Sequence, residues 1–267
     1  MNKNELDRFL CREIAAADAK VSLLMKDLQT GQTLHAYNPE EVVPSASVIK
    51  VPILLAVLQR VMEGGVSLGD HIAVPTHEIL EDSEVFEQGA CACSVSELLY
   101  WMIVTSDNTA ANVLIGLVGF DAVNALIQSL GLTSTVLARR MLDFAAIRAG
   151  RNNWTSAGDM ARLYEVICRE RILTPQLCRY ALDILKRQRC QELFLRYIAD
   201  DITVAHKTGG LDPFTGHDRV VHDAGVFLLG HAQYSLGIFV TGAPDDQRVA
   251  GRLIGRLSKA IYDCYKG

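Results

Sequence analysis

Long hydrophobic runs are missing from this chain. No 18 consecutive residues are all apolar, and even residues 48–61 are broken by Lys50, Gln59 and Arg60, so no transmembrane helix is expected. The N-terminus has no apolar core of 7–15 residues, which a secretory signal requires. Residues 1–8, Met-Asn-Lys-Asn-Glu-Leu-Asp-Arg, run straight into helical periodicity. A cytoplasmic protein is therefore expected, or a secreted one if a signal was removed. Charge of one sign never accumulates. With 26 Lys+Arg, 31 Asp+Glu and a net charge of −5, no five like charges adjoin, which argues against nucleic acid or a membrane as partner. The seven cysteines show no Cys-x-x-Cys spacing, and their odd number favours reduced thiols over a zinc site. His217 and His222, on a loop and a strand, show no ligand spacing either, so neither a metal nor a cofactor is expected. Internal repeats, low-complexity tracts and flexible linkers are also lacking.

What the chain does have is length and apolar mass. Its 267 residues, 49% hydrophobic, fill one large domain or two interleaved lobes. Leu6, Phe9, Leu10, Ile14 and Ala17 return every three to four residues, the spacing of an amphipathic helix over residues 5–19. Strands are predicted at 21–28 and 32–37 around the turn Gln29-Thr30-Gly31. Residues 48–198 read as helical, punctuated by Gly64-Gly65, Gly119, Gly131, Gly150 and Thr174-Pro175. Strands return at 202–208, 220–229 and 234–241, and a last helix follows over about 246–265. This order implies an α+β fold. Both chain ends, 1–45 and 200–267, share one antiparallel sheet flanked by terminal helices, with an all-α lobe of residues 46–199 inserted and the site in the cleft between.

Three short motifs stand out. Ser47-Val48-Ile49-Lys50 puts a hydroxyl and an amine on one helix face; alone it is weak, and Ser47 could simply cap the helix that Pro44-Ser45-Ala46 leads into. Ser106-Asp107-Asn108 precedes a further helix and reads equally well as a cap cluster. Lys207-Thr208-Gly209 ends a strand before a glycine-rich turn. Each of the last two strings is expected about 0.03 times by chance, and the ordered trio about 10⁻³ times.

The trio in this order, with 59 residues from 47 to 106 and 101 from 106 to 207, resembles the S-x-x-K, S-D-N and K-T-G motifs of class A β-lactamases and penicillin-binding proteins. The resemblance extends along nearly the whole chain, including the strand His222-Asp223-Ala224-Gly225-Val226. It implies a β-lactamase/transpeptidase-like fold in which Ser47 attacks an amide or lactam carbonyl and is acylated. Lys50 would take the proton of Ser47, which requires its pKa to fall by about 3 units from the usual 10.4, or roughly 4 kcal/mol. Lys207 would be the second cation that lowers it. Ser106 would relay the proton to the departing nitrogen, and Asn108 would hold Lys50 and the substrate amide. The backbone N–H groups of Ser47 and Gly210 would form the oxyanion hole, and Lys207, Thr208 and Gly209 would bind a substrate carboxylate. A β-lactam or D-alanyl peptide-like small molecule follows as substrate, and a monomer as the expected state.

The chain departs from the family on the loop between the second motif and the next helix. Class A enzymes carry there a glutamate that activates water, but this chain has no Glu between Glu97 and Glu165, only Asp107, Asp121, Asp143 and Asp159. Asp121 starts a helix, and Ser156 with Asp159 reads as a capping box. Asp143 is the possible loop acid, although an ion pair with Arg139, Arg140 or Arg148 is the expected role; Asn152 and Asn153 cannot act as bases. A serine hydrolase of β-lactamase type that loads readily and unloads slowly is expected. A D-alanyl peptidase or small-ester hydrolase, and a sensor that holds its adduct, use the same acylation chemistry.

Overall fold

The computed structural model describes residues 1–213, 218–230, 232–244 and 247–267. Helix α1 (Lys3–Ala15) begins at a capping box, with Asn2 receiving the Glu5 N–H and Glu5 the Asn2 N–H, and it buries Leu6, Leu10 and Ile14. The hairpin β1 (Lys20–Asp27) and β2 (Thr33–Tyr37) follows, its turn closed by Asp27, which accepts the Gln29 and Thr30 N–H groups. The chain then passes through β3 (Val43–Pro44) into a 3₁₀ turn at Ala46–Ile49 and the central helix α2 (Lys50–Met62). All of Lys50 to Leu58 is buried, as in a helix that is apolar all round.

The inserted lobe is helical, with α3 (Val95–Val104), α4 (Asn108–Val118), α5 (Phe120–Ser129), α6 (Phe144–Arg148), α7 (Ala157–Cys168) and α8 (Pro175–Leu185). Helical periodicity hid two small ribbons inside it. One pairs β4 (His71–Val74) with β5 (Cys91–Ser94), and the other pairs β3 with β6 (Trp154–Thr155). Strands of two to four residues are too short for an alternation to register. The chain ends in β7 (Val204–Leu211), β8 (Val220–Leu228), β9 (Gln233–Thr241) and α9 (Gln247–Tyr265); position 246, where the last helix was expected to start, lies outside the described residues.

The five-stranded sheet has the order β2-β1-β9-β8-β7, with every neighbouring pair antiparallel. The N-terminal hairpin thus joins the C-terminal strands, as expected of an inserted lobe. Side-chain alternation divides β9: Tyr234, Leu236, Ile238 and Val240 face the core shared with α1 and α9, and Phe239 faces the helical lobe. At Gly237 a Cβ would lie 2.6 Å from the Ala157 carbonyl, so this glycine lets the start of α7 rest directly on the sheet. Edge strand β7 lies against the 3₁₀ turn that opens α2, which places Lys207 and Thr208 opposite Ser47.

Candidate active site

The turn carrying Ser47 is held from below. Ser45 N–H donates to the Asn153 carbonyl at 2.8 Å, β3 pairs with β6, and Ala46 sits in the left-handed region at φ 45°, which is strained for a residue with a Cβ. The capping expectation for Ser47 is corrected: Ser45 occupies the N-cap position and its side chain caps nothing. Ser47 Oγ instead lies 3.1 Å from Lys50 Nζ, the contact that the spacing of three residues allows. In the second motif the capping role falls to Asp107 alone, which accepts the Ala110 N–H at 2.7 Å and the Ser83 hydroxyl. With Asp107 held by these two bonds and Ser106 at φ 61°, Ser106 lines the cleft and Asn108 turns its oxygen to Lys50. Lys50 Nζ is 2.6 Å from the Ser106 carbonyl, 3.1 Å from Ser106 Oγ and 2.7 Å from Asn108 Oδ1. Lys207 Nζ donates to Ser106 Oγ at 3.0 Å and to the Thr208 carbonyl at 2.8 Å. A continuous line of polar atoms therefore runs from Ser47 through Lys50 and Ser106 to Lys207.

Both lysines are wholly buried. Burial, followed by the charge of Lys207, holds Lys50 well below the ordinary lysine range, while Asp107 and Asp82 pull the other way. Burial lowers Lys207 to about 8. Near pH 7 Lys207 thus keeps its proton, and burial together with that charge disfavours a proton on Lys50. Once neutral, Lys50 Nζ has a lone pair for the Ser47 hydroxyl proton. All four partners of Lys50 Nζ are neutral oxygens.

Gly209 explains how the third motif reaches the first. A Cβ there would stand 3.1 Å from Ser47 N and 3.2 Å from Val48 N, tighter than ordinary contact, so glycine lets β7 approach the turn without pushing it back. Gly210 follows it into a cavity of about 540 Å³ whose lining includes Ser47, Ser106, Thr208, Gly209 and Gly210 together with Cys190 and Arg196. A second cavity, of about 440 Å³, shares Ser106 and is lined by Asp82, Glu84, Trp101 and Arg189. Asp82 belongs to the site through Asn108, whose Nδ2 donates to Asp82 Oδ2 at 2.6 Å. It carries no motif and no period, and sequence reading passed it over.

On the loop, Asp143 is a helix cap: it accepts the Ala146 N–H at 2.9 Å and starts α6. The ion pair expected of it is not among those formed by the described residues, since Arg139 donates to Asn152 and to the Arg140 carbonyl, and Arg140 pairs with Glu78. Asn112 clamps the loop by receiving the Met141 N–H at 2.7 Å and donating to the Met141 carbonyl at 3.2 Å. Asn153 receives the Ala138 and Arg139 N–H groups. Asp159 departs from the capping box: its N–H goes to Ser156, but its carboxylate receives Ser134 N and Thr135 Oγ1.

His222 is fully buried beneath the nucleophile turn, stacked on Phe239 at 4.1 Å, and its Nε2–H donates to the Pro44 carbonyl at 3.0 Å. Burial depresses its pKa from 6.5 to about 4; His217 lies outside the described residues. Below pH 6.5 the unfolded chain takes up a proton that the folded chain refuses until about pH 4, so stability falls as pH drops through this window, by about 2 kcal/mol at pH 5. Urea denaturation at pH 7 and pH 5 checks this: the loss should be smaller in His222→Gln than in the wild type.

A family model described as "Beta-lactamase enzyme family" matches residues 3–265. The extended-spectrum β-lactamase PER-1 of Pseudomonas aeruginosa is 26% identical over 238 residues, covering 84% of this chain and 76% of that protein. Among solved structures, a β-lactamase from Chitinophaga pinensis superposes with a TM-score of 0.90 at 26% identity, covering 97% of this chain and 99% of that one. A mutant of PBP-A, described as an acyl-enzyme complex with penicillin G, superposes with a TM-score of 0.83 at 28% identity, covering 99% of this chain and 96% of that one.

Proposed function

The chain belongs to the β-lactamase enzyme family as a class A β-lactamase-like serine hydrolase, and from that premise we propose that Ser47 forms an acyl-enzyme with β-lactams or similar amides and releases it slowly. The observation that carries this reading is the line Ser47–Lys50–Ser106–Lys207, with two wholly buried amines whose burial disfavours their charged forms. Neutral Lys50 accepts the hydroxyl proton as Ser47 Oγ bonds to the carbonyl carbon. The oxygen that becomes negative points to the N–H groups of Ser47 and Gly210, donors typically worth about 3 kcal/mol each. Protonated Lys207 and the Thr208 hydroxyl receive the substrate carboxylate, and Ser106 hands a proton to the departing nitrogen, which breaks the amide bond and leaves the ester on Ser47.

Hydrolysis of that ester needs a base for water. The loop has no glutamate, Asp143 caps α6, and the partners of Lys50 are neutral, so release is proposed to be the slow step. The acyl-enzyme described for the PBP-A mutant supports the loading half. Mixing the purified protein with a chromogenic cephalosporin tests both halves. The expected result is a burst close to one equivalent, a slow steady rate and an adduct in the intact mass; rapid steady turnover with no adduct would overturn slow release.

A further inference from the structure

Asn108 has two jobs in the proposed reaction: its oxygen holds Lys50, and its amide N–H groups face the acyl side of the substrate. One of those N–H groups is already taken. Asp82 Oδ2 accepts it at 2.6 Å, while Asn108 Oδ1 sits 2.7 Å from Lys50 Nζ. Asp82 comes from the irregular segment between β4 and β5 and is exposed. Its neighbour Ser83, buried, donates its hydroxyl to Asp107, which ties this segment to the start of α4. The result is a carboxylate held at the rim, one hydrogen bond from the group that receives the substrate amide.

We infer that Asp82 is a specificity-determining residue that selects substrates carrying a protonated amine one carbon from the amide carbonyl bound by Asn108. The inference rests on the reading of Ser47 and Asn108 given above. Its geometry is simple. A substrate carbonyl on the remaining N–H of Asn108 Nδ2 shares that nitrogen with Asp82 Oδ2. An ammonium on the adjacent carbon is then close enough to bond the carboxylate, whereas an uncharged group leaves the carboxylate only its water and its Asn108 hydrogen bond. The cavity of about 440 Å³ that Asp82 lines has room for such a group, and it meets the main cleft at Ser106. Its other charged walls are Glu84, Asp107 and Arg189. Asp107 is already hydrogen-bonded to Ser83 and Ala110, so the balance of the exposed wall is acidic. The substrate class this fits is an acyl group ending in a free α-amino amide, as in a short peptide with an unblocked N-terminus. Such selection by a surface carboxylate weakens with salt.

The test compares two penicillins that differ by this one group: penicillin G and its α-amino derivative, in which an ammonium replaces one benzylic hydrogen. The rate of Ser47 acylation by each is read from intact mass, so slow release does not interfere. In the wild type the α-amino derivative should acylate about tenfold faster at low salt, and the ratio should shrink at high salt. Asp82→Asn keeps an oxygen to accept the Asn108 N–H but removes the charge. It should bring the ratio of the two rates close to one, whatever it does to the penicillin G rate itself, because both substrates meet the same Lys50 and Asn108. Equal rates in the wild type, or an unchanged ratio in Asp82→Asn, would overturn the inference and leave the reading of Ser47 standing. No adduct with either penicillin would overturn both.

Discussion

Ser47→Ala is expected to abolish adduct formation and all turnover of a β-lactam, by about 10⁶-fold, while leaving the protein folded. Ser47 Oγ starts the line Ser47–Lys50–Ser106–Lys207 on the wall of the cleft, and it is the oxygen proposed to become the ester. Losses of this size follow when the nucleophile of a catalytic unit is removed, since binding and oxyanion contacts alone leave only a small residue of catalysis. The hydroxyl lies on a half-exposed turn and its removal exposes no cavity, so thermal unfolding should shift little. Intact mass after an hour with penicillin G, together with a melting curve, reads both halves of the expectation. An adduct on the folded variant would move the nucleophile elsewhere and end the assignment.

Lys50→Met is expected to slow acylation by about 10³-fold, the size of a lost general base. Methionine keeps the length of the chain but takes away the donor that Ser106 O and Asn108 Oδ1 share, so those two carbonyls lose a partner inside a buried site. The rate of adduct formation at neutral pH reads the effect, and a melting curve separates loss of chemistry from loss of fold. The wild type adds a pH signature. Lys207, lowered to about 8 by burial, is charged below that pH and neutral above it. Acylation by an anionic β-lactam should therefore weaken as pH rises through 8, through substrate binding more than through the chemical step. An undiminished rate in a folded Lys50→Met protein would remove Lys50 from the role of base.

Local spacing made most of this site legible in the sequence. Ser47 and Lys50 are one helical turn apart, and the contact between them follows from that spacing. Lys207-Thr208-Gly209 reads as the end of a strand before a turn, whereas β7 runs on to Leu211 and carries the motif in its interior, with Gly209 against the Ser47 turn. The joining of the two chain ends in one sheet was legible too, because its strands of five to nine residues are rich in apolar residues and bounded by turn residues. Other features had no local signal. Asp82 reaches Asn108 across 26 residues from a segment with neither period nor motif, and only the folded chain places them together. The ribbons β3–β6 and β4–β5 are shorter than any countable period. Asp143 looked like an ion-pair partner because three arginines lie near it in sequence, but the backbone N–H of Ala146 is nearer in space. His222 has no assigned role in the sequence beyond lacking ligand spacing, and its strand position opposite Gly209 turns it inward to support the nucleophile turn from beneath. For Asp82, the ribbons and His222 the deciding contact is tertiary, whereas for Asp143 it is a local helix cap.

The most direct measurement is a crystal structure of the protein soaked with penicillin G. The expected result is continuous density from Ser47 Oγ to the opened β-lactam, with the ester oxygen between the N–H groups of Ser47 and Gly210, the carboxylate at Lys207 and Thr208, and no carboxylate side chain beside the ester. Intact penicillin in the cleft, or an adduct on any residue other than Ser47, would contradict the central claim.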